Sequence, residues 1–298
     1  MTINKQGAIL AVLAYTMWGL APIYFKLIQH VPSLEILMHR IIWSTLLLFV
    51  VIVFRRRLGS VIAVLKQPRN LAIMVFSSTL LAFNWWLFIW AINNDKILDA
   101  SLGYYINPLL NIALGMLFLG ERLSKMQYVA VGLALTGVII QLVTFGSFPV
   151  VALSLAASFA CYGLIRKTIA IDSMTGLLIE SALLLTPAIV YWWLFAASPS
   201  ANLLDNNWSL NTLLLFAGVL TTAPLLCFVA AARRLNYSTI GFFQYIGPSL
   251  MFLFGVFVYG EKVGADRWVT FGFIWSALVI YSYSSLAAHR KQKKAAMV

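Results

Sequence analysis

Apolar residues occupy this chain in long runs separated by short polar stretches. A membrane-spanning helix needs about 20 mostly apolar residues. Ten runs meet that length, at roughly 8–28, 33–54, 71–92, 98–119, 126–145, 148–168, 175–196, 210–232, 238–259 and 266–287. The pattern predicts an all-α membrane protein with ten transmembrane helices. No connection is long enough to hold a soluble domain. The fifth and sixth runs meet at Gly146–Ser147 almost without a loop, which marks a seam between residues 1–146 and 147–298. The first run follows Lys5 like the core of a signal peptide. It continues through Trp18 and Pro22 without a small-residue cleavage site, so it is read as a retained span.

The two sides of the seam carry one motif twice. Tyr105–Arg122 reads YINPLLNIALGMLFLGER, and Tyr245–Lys262 reads YIGPSLMFLFGVFVYGEK. The offset is 140 residues without a gap. Tyr105, Ile106, Pro108, Leu110, Gly115, Gly120 and Glu121 recur as Tyr245, Ile246, Pro248, Leu250, Gly255, Gly260 and Glu261. Phe88, Ala91 and Gly132 match Phe228, Ala231 and Gly272 at the same offset. Such register argues for duplication.

Charge adds direction. The chain is 62% hydrophobic and only 10% charged, with a formal net charge of +12. Sixteen of its 21 Lys and Arg residues fall on one side of the ten runs and three on the other, with Lys26 and Arg40 inside runs. Basic loops mark the cytoplasmic face, so both termini are expected there. The same count explains the net charge without nucleic acid. Trp90, Trp192, Trp193, Trp208 and Trp268 fall near the opposite boundary, where indole rings favour the headgroup region. Five spans per half is an odd number, so the second copy enters from the opposite face. The expectation is a pair of inverted five-helix repeats, an architecture that secondary transporters use for alternating access.

Enzyme chemistry is mostly excluded. There is no phosphate-cradling GxxxxGK[ST] loop and no HExxH. His30, His39 and His289 are scattered, and Cys161 and Cys227 lie in apolar runs without a zinc or disulfide spacing. Asp95 and Asp99 are spaced like a carboxylate pair, but they flank Lys96 and no second acidic cluster answers them. No cofactor and no metal are expected. A membrane enzyme acting on lipid-linked substrates would need acids or histidines clustered at one leaflet. A receptor or assembly protein would not need two inverted copies, and it would usually display a loop or tail to its partner.

Ionisable groups inside spans are costly and usually functional. Arg40 lies seven residues beyond Ser33, roughly 10 Å deep. That is too deep for easy snorkelling and points to a cavity or an ion pair. Lys26 is near a helix end, where snorkelling and lining a vestibule are both open. Glu180 has three readings: snorkelling to the interface, a tie to Arg166 or Lys167, or proton coupling.

Proline interrupts the spans at Pro22, Pro108, Pro187, Pro224 and Pro248. Each removes a backbone donor and tends to kink its helix. Pro108 and Pro248 are the matched pair and the expected hinges. Around them cluster Tyr105, Asn107, Asn111, Gln244 and Tyr245, which suit either interhelical hydrogen bonds or a substrate cavity near the midplane. Trp18, Asn84, Trp85 and Trp86 would complete a tryptophan–tyrosine–amide cavity fit for a medium-sized amphipathic solute. Small residues in the fifth and tenth spans, Gly132, Ala134, Gly137, Gly272 and Ala277, mark packing braces or a homodimer surface.

Trp18-Gly19, Arg40 and the P…G…GE segments at Pro108–Glu121 and Pro248–Glu261 resemble EamA-type members of the drug/metabolite transporter superfamily. The start MTINKQG and the run AYTMWGLAPIYFK are most similar to the bacterial RarD group, named for an association with chloramphenicol sensitivity. The resemblance covers the whole chain. It implies an inner-membrane permease, an exporter of metabolites or drug-like solutes that does not hydrolyse ATP, with a central cavity lined by both halves. The second half departs from the pattern at its first span, where Tyr162-Gly163 stands in place of Trp-Gly. The expected solute site comprises Trp18, Arg40, Asn84, Trp86, Tyr105, Asn107, Gln244 and Tyr245, with Glu180 as the candidate proton-coupling group.

Overall fold

A computed structural model of the protein describes residues 4–94, 97–145, 148–196, 198, 200, 202–258, 260 and 264–295. The described residues form helices and connections. In chain order the helices are α1 (Lys5–Leu27), α2 (Ser33–Phe54), α3 (Leu58–Leu65), α4 (Pro68–Asn93), α5 (Ile97–Phe118), α6 (Lys125–Phe145), α7 (Val150–Thr168), α8 (Ser173–Phe195), α9 (Trp208–Ala232), α10 (Tyr237–Gln244), α11 (Ile246–Phe257) and α12 (Ala265–Ala295). In hydrocarbon every backbone N–H and C=O must be satisfied within the segment, so apolar runs of this length fold as helices. Their starts are capped where the sequence supplies a short polar side chain. Asn4 accepts from the Gly7 N–H, Asp172 from Met174 and Thr175, and Asn207 from Leu210.

Nine segments among the described residues are long and apolar enough to cross a membrane, counting α10 and α11 together as Tyr237–Phe257. The tenth expected run falls in α12. That helix spans 31 residues, but its Tyr281–Ser285 stretch, YSYSS, dilutes the apolar character. α3 was not among the expected runs. It exposes Leu58, Ile62 and Leu65 between Arg55–Arg57 and Lys66, the pattern of a helix suited to an interface rather than a span.

The helices of the two sides of the seam interleave. α1 packs against α9, α10 and α11, while α7 packs against α4 and α5. α2 packs against α9, and α8 against α4. α2 meets α8, α5 meets α10, and α6 meets α12. Exchanging the two sides reproduces this set of neighbours.

The two matched prolines behave differently. α5 runs unbroken through Pro108, whereas the second copy breaks at Tyr245 into α10 and α11. In both copies the proline ring crowds the carbonyl four residues earlier. In α5 the preceding residue is Asn107, whose side chain is tied to the Ala156 carbonyl at 2.6 Å. In the other copy the preceding residue is Gly247, a poor helix former with no side chain to anchor. The two matched positions therefore differ: one lies inside a continuous helix and the other beside a break.

Gly120 and Gly260, also matched, both sit in the left-handed region, at φ 62° and 67°. That conformation costs glycine nothing and ends the helix. At the first copy the chain turns so that Glu121 reaches across to the other half. At the second, Glu261 lies outside the described residues.

Candidate functional site

One end of the helix bundle, the end rich in Lys and Arg, is held by one carboxylate that bridges the halves and by ties within the second half. Glu121 accepts from the Ser238 N–H at 2.8 Å, from the Ser238 hydroxyl at 2.7 Å and from the Tyr237 N–H, so a first-half carboxylate caps α10. A carboxylate at a helix N-terminus is favoured by the exposed amides and the helix dipole. Lys167 donates to the carbonyls of Ala232 and Leu235, and Arg233 donates to Ile171 at 2.8 Å. Behind these ties lies the largest apolar cluster, which includes Ala11, Tyr15, Leu48, Tyr162, Leu178, Phe228 and Tyr237.

Glu180 belongs to this closed end. Both it and Arg166 are fully buried, with Arg166 Nε 3.5 Å from Glu180 Oε1. Glu180 also accepts from Ser77 at 2.6 Å and from Tyr162 at 3.2 Å. Arg166 lies over Gly176, one turn before Glu180, where any Cβ would collide with the guanidinium. Of the three sequence readings for Glu180, the tie to Arg166 describes its contacts here.

Arg40 is different. Its Nε donates to Thr221 Oγ1 at 2.9 Å, and Thr221 in turn donates to the Ala217 carbonyl, which turns a hydroxyl lone pair toward the arginine. The guanidinium lies over the rings of Trp85, at 5.1 Å, and Phe25, at 5.9 Å. Tyr24 and Tyr104 are within electrostatic reach. Tyr104 is partly accessible. Trp85 packs against two of the apolar clusters, and Trp18 packs against the larger of them, ringed by Tyr15, Phe159 and Phe228 at 5.6–5.8 Å. Gly19 lets α1 approach α11 at this level, since a Cβ there would meet Leu250 at 2.9 Å.

The amide group of the expected site forms its own chain. Asn111 donates to Gln244 at 2.7 Å and to Asn107 at 3.3 Å, Asn107 donates to Ala156, and the Tyr245 hydroxyl donates to the Tyr105 carbonyl at 3.3 Å. All four side chains named first in this chain, Asn107, Asn111, Gln244 and Tyr245, are buried. They join α5 to α7 and α10, and Gly241 permits the crossing: a Cβ there would stand 2.5 Å from the Pro108 carbonyl. Asn84 likewise donates to Leu155 and Ser158, linking α4 to α7. Trp86 is half exposed and leans on Phe83 of its own helix, on a different face from Trp85.

The structure thus sets Arg40 beside Trp85, Phe25 and Thr221, packs Trp18 among Tyr15, Phe159 and Phe228, and places Asn107, Gln244, Tyr105 and Tyr245 in a bonded strut. Sequence reading passed over Thr221, Phe25 and Tyr104, and it ranked Trp86 above Trp85. Thr221 has Leu81 as its counterpart at the repeat offset, so duplication could not flag it. A helical-face comparison would have separated Trp85 from Trp86, which are neighbours in sequence but about 100° apart around a helix. The Asp95–Asp99 pair falls partly outside the described residues, and no group of metal-ligating side chains occurs among those described. Ala134, Gly137 and Ala277 are used where α6 meets α12, whereas Gly132 and Gly272 face open space.

An all-helical, multi-pass fold with a polar spot enclosed between its halves is the form of a membrane transporter. Residues 5–143 match the EamA-like transporter family. The chain is 55% identical to an uncharacterized transporter of Vibrio cholerae over 98% of this chain and 96% of that protein. It is 52% identical to protein RarD of Escherichia coli over 98% of each. A chloramphenicol-sensitive protein RarD of Pseudomonas aeruginosa is 29% identical over 99% of each chain. A solved crystal structure at 16% identity shares the fold, with a TM-score of 0.71 over 95% of this chain and 98% of that one. The chain belongs to the EamA-like family, in its RarD group, and is a membrane transporter of the drug/metabolite superfamily.

Proposed function

We propose that the protein is a secondary transporter of the bacterial inner membrane that moves small metabolites or drug-like solutes by alternating access. Its ten spans form two inverted halves, residues 1–146 and 147–298, with α12 as the tenth span and both termini in the cytoplasm. The observation that carries this reading is Arg40: a partly buried cation on α2 of one half, bonded to Thr221 on α9 of the other. The exchange symmetry of helix neighbours supports the inverted halves, and the family match ending at residue 143 agrees with the seam. In this reading the structure is closed at its basic, cytoplasmic end and open toward the other face. Rocking about the broken α10–α11 helix would release the Glu121 tie between the halves and open the opposite way. Glu180 stays the candidate proton-coupling group, because it would meet water only when its end opens.

Export is the proposed direction, and chloramphenicol, which appears in the name of one RarD relative, is the first solute to try. The test is purified protein in liposomes, scored for counterflow of chloramphenicol, amino acids and nucleosides. At least one solute should accumulate above protein-free vesicles, and Trp18→Ala should reduce that flux. No accumulation of any solute would overturn the transporter mechanism. Survival of pH-gradient-driven uptake in Glu180→Gln would remove Glu180 from coupling.

A further inference from the structure

We propose that the Arg40 region recognises a solute bearing one carboxylate beside a flat apolar body. This rests on the transporter reading above and narrows its substrate class.

The argument starts from charge. Arg57 pairs with Asp172 and Arg166 with Glu180. Arg40 is in neither. The nearest acid on its own helix, Glu35, is already occupied by the hydroxyls of Ser198 at 2.6 Å and Ser200 at 2.8 Å. The positional counterpart of Arg40 at the repeat offset is Glu180, which is paired with Arg166.

Geometry then sets the ligand. A guanidinium has five N–H donors in a planar fork. Thr221 takes the Nε donor, which fixes the plane and leaves the two η nitrogens for a partner. Arg40 as a whole is only partly buried. A carboxylate matches such a fork with two parallel hydrogen bonds. A cation this deep is costly without an opposite charge, and a bound anion offsets that cost. One cation suits a monoanion. The walls supply the rest: Trp85 and Phe25 beneath the guanidinium offer flat apolar surfaces for a ring or a branched chain.

The experiment measures binding to purified full-length protein in lipid nanodiscs. The probes are indole-3-acetate and phenylacetate against their neutral amides, indole-3-acetamide and phenylacetamide, with tryptophan fluorescence and thermal shift as readouts. The carboxylates should bind roughly tenfold tighter than the amides, the effect of hydrogen bonds to a charged group. Arg40→Gln should abolish the difference. Arg40→Lys keeps the charge without the fork, so it should keep the preference with weaker binding. Amides binding as well as acids, no binding of either acid at millimolar concentration, or an undiminished preference in Arg40→Gln would each overturn the proposal. The wild-type comparison decides it even if a variant fails to fold. Transport of neutral solutes in liposomes alongside equal binding of acids and amides would sink this inference and leave the transporter mechanism standing.

Discussion

Glu121, three residues past the end of α5, holds Ser238 at the start of α10 by two hydrogen bonds to one carboxylate oxygen, at 2.8 Å from the amide and 2.7 Å from the hydroxyl. The Gly-Glu pair that closes the repeated motif is thus a tie between the halves. Glu121→Ala leaves two α10 amides without their partner. The expected loss is about 1–2 kcal/mol, the cost of deleting a good helix cap. Thermal unfolding of purified protein checks it, and a cysteine placed at Ser238 should react faster with a membrane-impermeant maleimide when Glu121 is absent.

Arg166 and Glu180 should show strong coupling. Removing one member of a fully buried pair strands a charge and costs about 3–5 kcal/mol. Replacing both with apolar residues of similar size should cost much less. A double-mutant cycle with Arg166→Met and Glu180→Leu, read by thermal unfolding, measures the difference; additive effects would mean that the pair does not act as a unit.

Close helix crossings predict intolerance at two glycines. At Gly241 a side chain would meet the Pro108 backbone carbonyl, which cannot step aside. At Gly132 nothing lies within reach. Gly241→Val should destabilise by about 1–3 kcal/mol, as overpacking does, while Gly132→Val should be tolerated. Comparing yields and melting temperatures of the two variants separates packing from helix propensity, because both substitutions change propensity alike.

Asn107 should act through the strut and not through the solute. Asn107→Ala removes its bonds to Ala156 and Asn111, which lowers stability by about 1–3 kcal/mol for buried groups left unpaired. Solute affinity in the folded fraction should stay near wild type. An affinity loss comparable to that of Arg40→Gln would place Asn107 on the solute.

Asp172 lies outside the spans, at the N-cap of α8. Burial works to raise its carboxyl, but hydrogen bonds from Thr175 and Met174 and the charge of Arg57 outweigh it and hold the group below the usual carboxylate range. A carboxylate lowered on folding contributes stability above its ordinary titration range, and that contribution is lost as pH falls through the folded value. Asp172→Ala should therefore lower the melting temperature at neutral pH and have no effect well below pH about 3. Melting curves over pH test the sign.

Much of the fold was legible because a bilayer imposes simple rules. Apolar run length marked nine of the spans seen, and the 140-residue register located the matched Tyr, Pro, Gly and Glu positions. α3 was missed because eight residues flanked by arginines look like a loop to a search for 20-residue runs. The site was only half legible. Composition could say that Arg40 is buried too deep for lipid, but it could not say whether Asn107 or Trp85 stands beside it.

Sequence alone determined that this chain is a helical membrane protein with a duplicated motif, because hydrocarbon thickness and backbone hydrogen bonding allow few other outcomes. Only the tertiary structure decided which polar groups satisfy one another. Asn107, Asn111 and Gln244 close on themselves, and Glu180 closes on Arg166, while Arg40 keeps two nitrogens free beside Trp85. The reason is that helix period and run length place a residue on its own helix. Which neighbour it meets is set by the crossing of distant helices, here through Gly19, Gly176 and Gly241, where the absence of a side chain lets two segments approach.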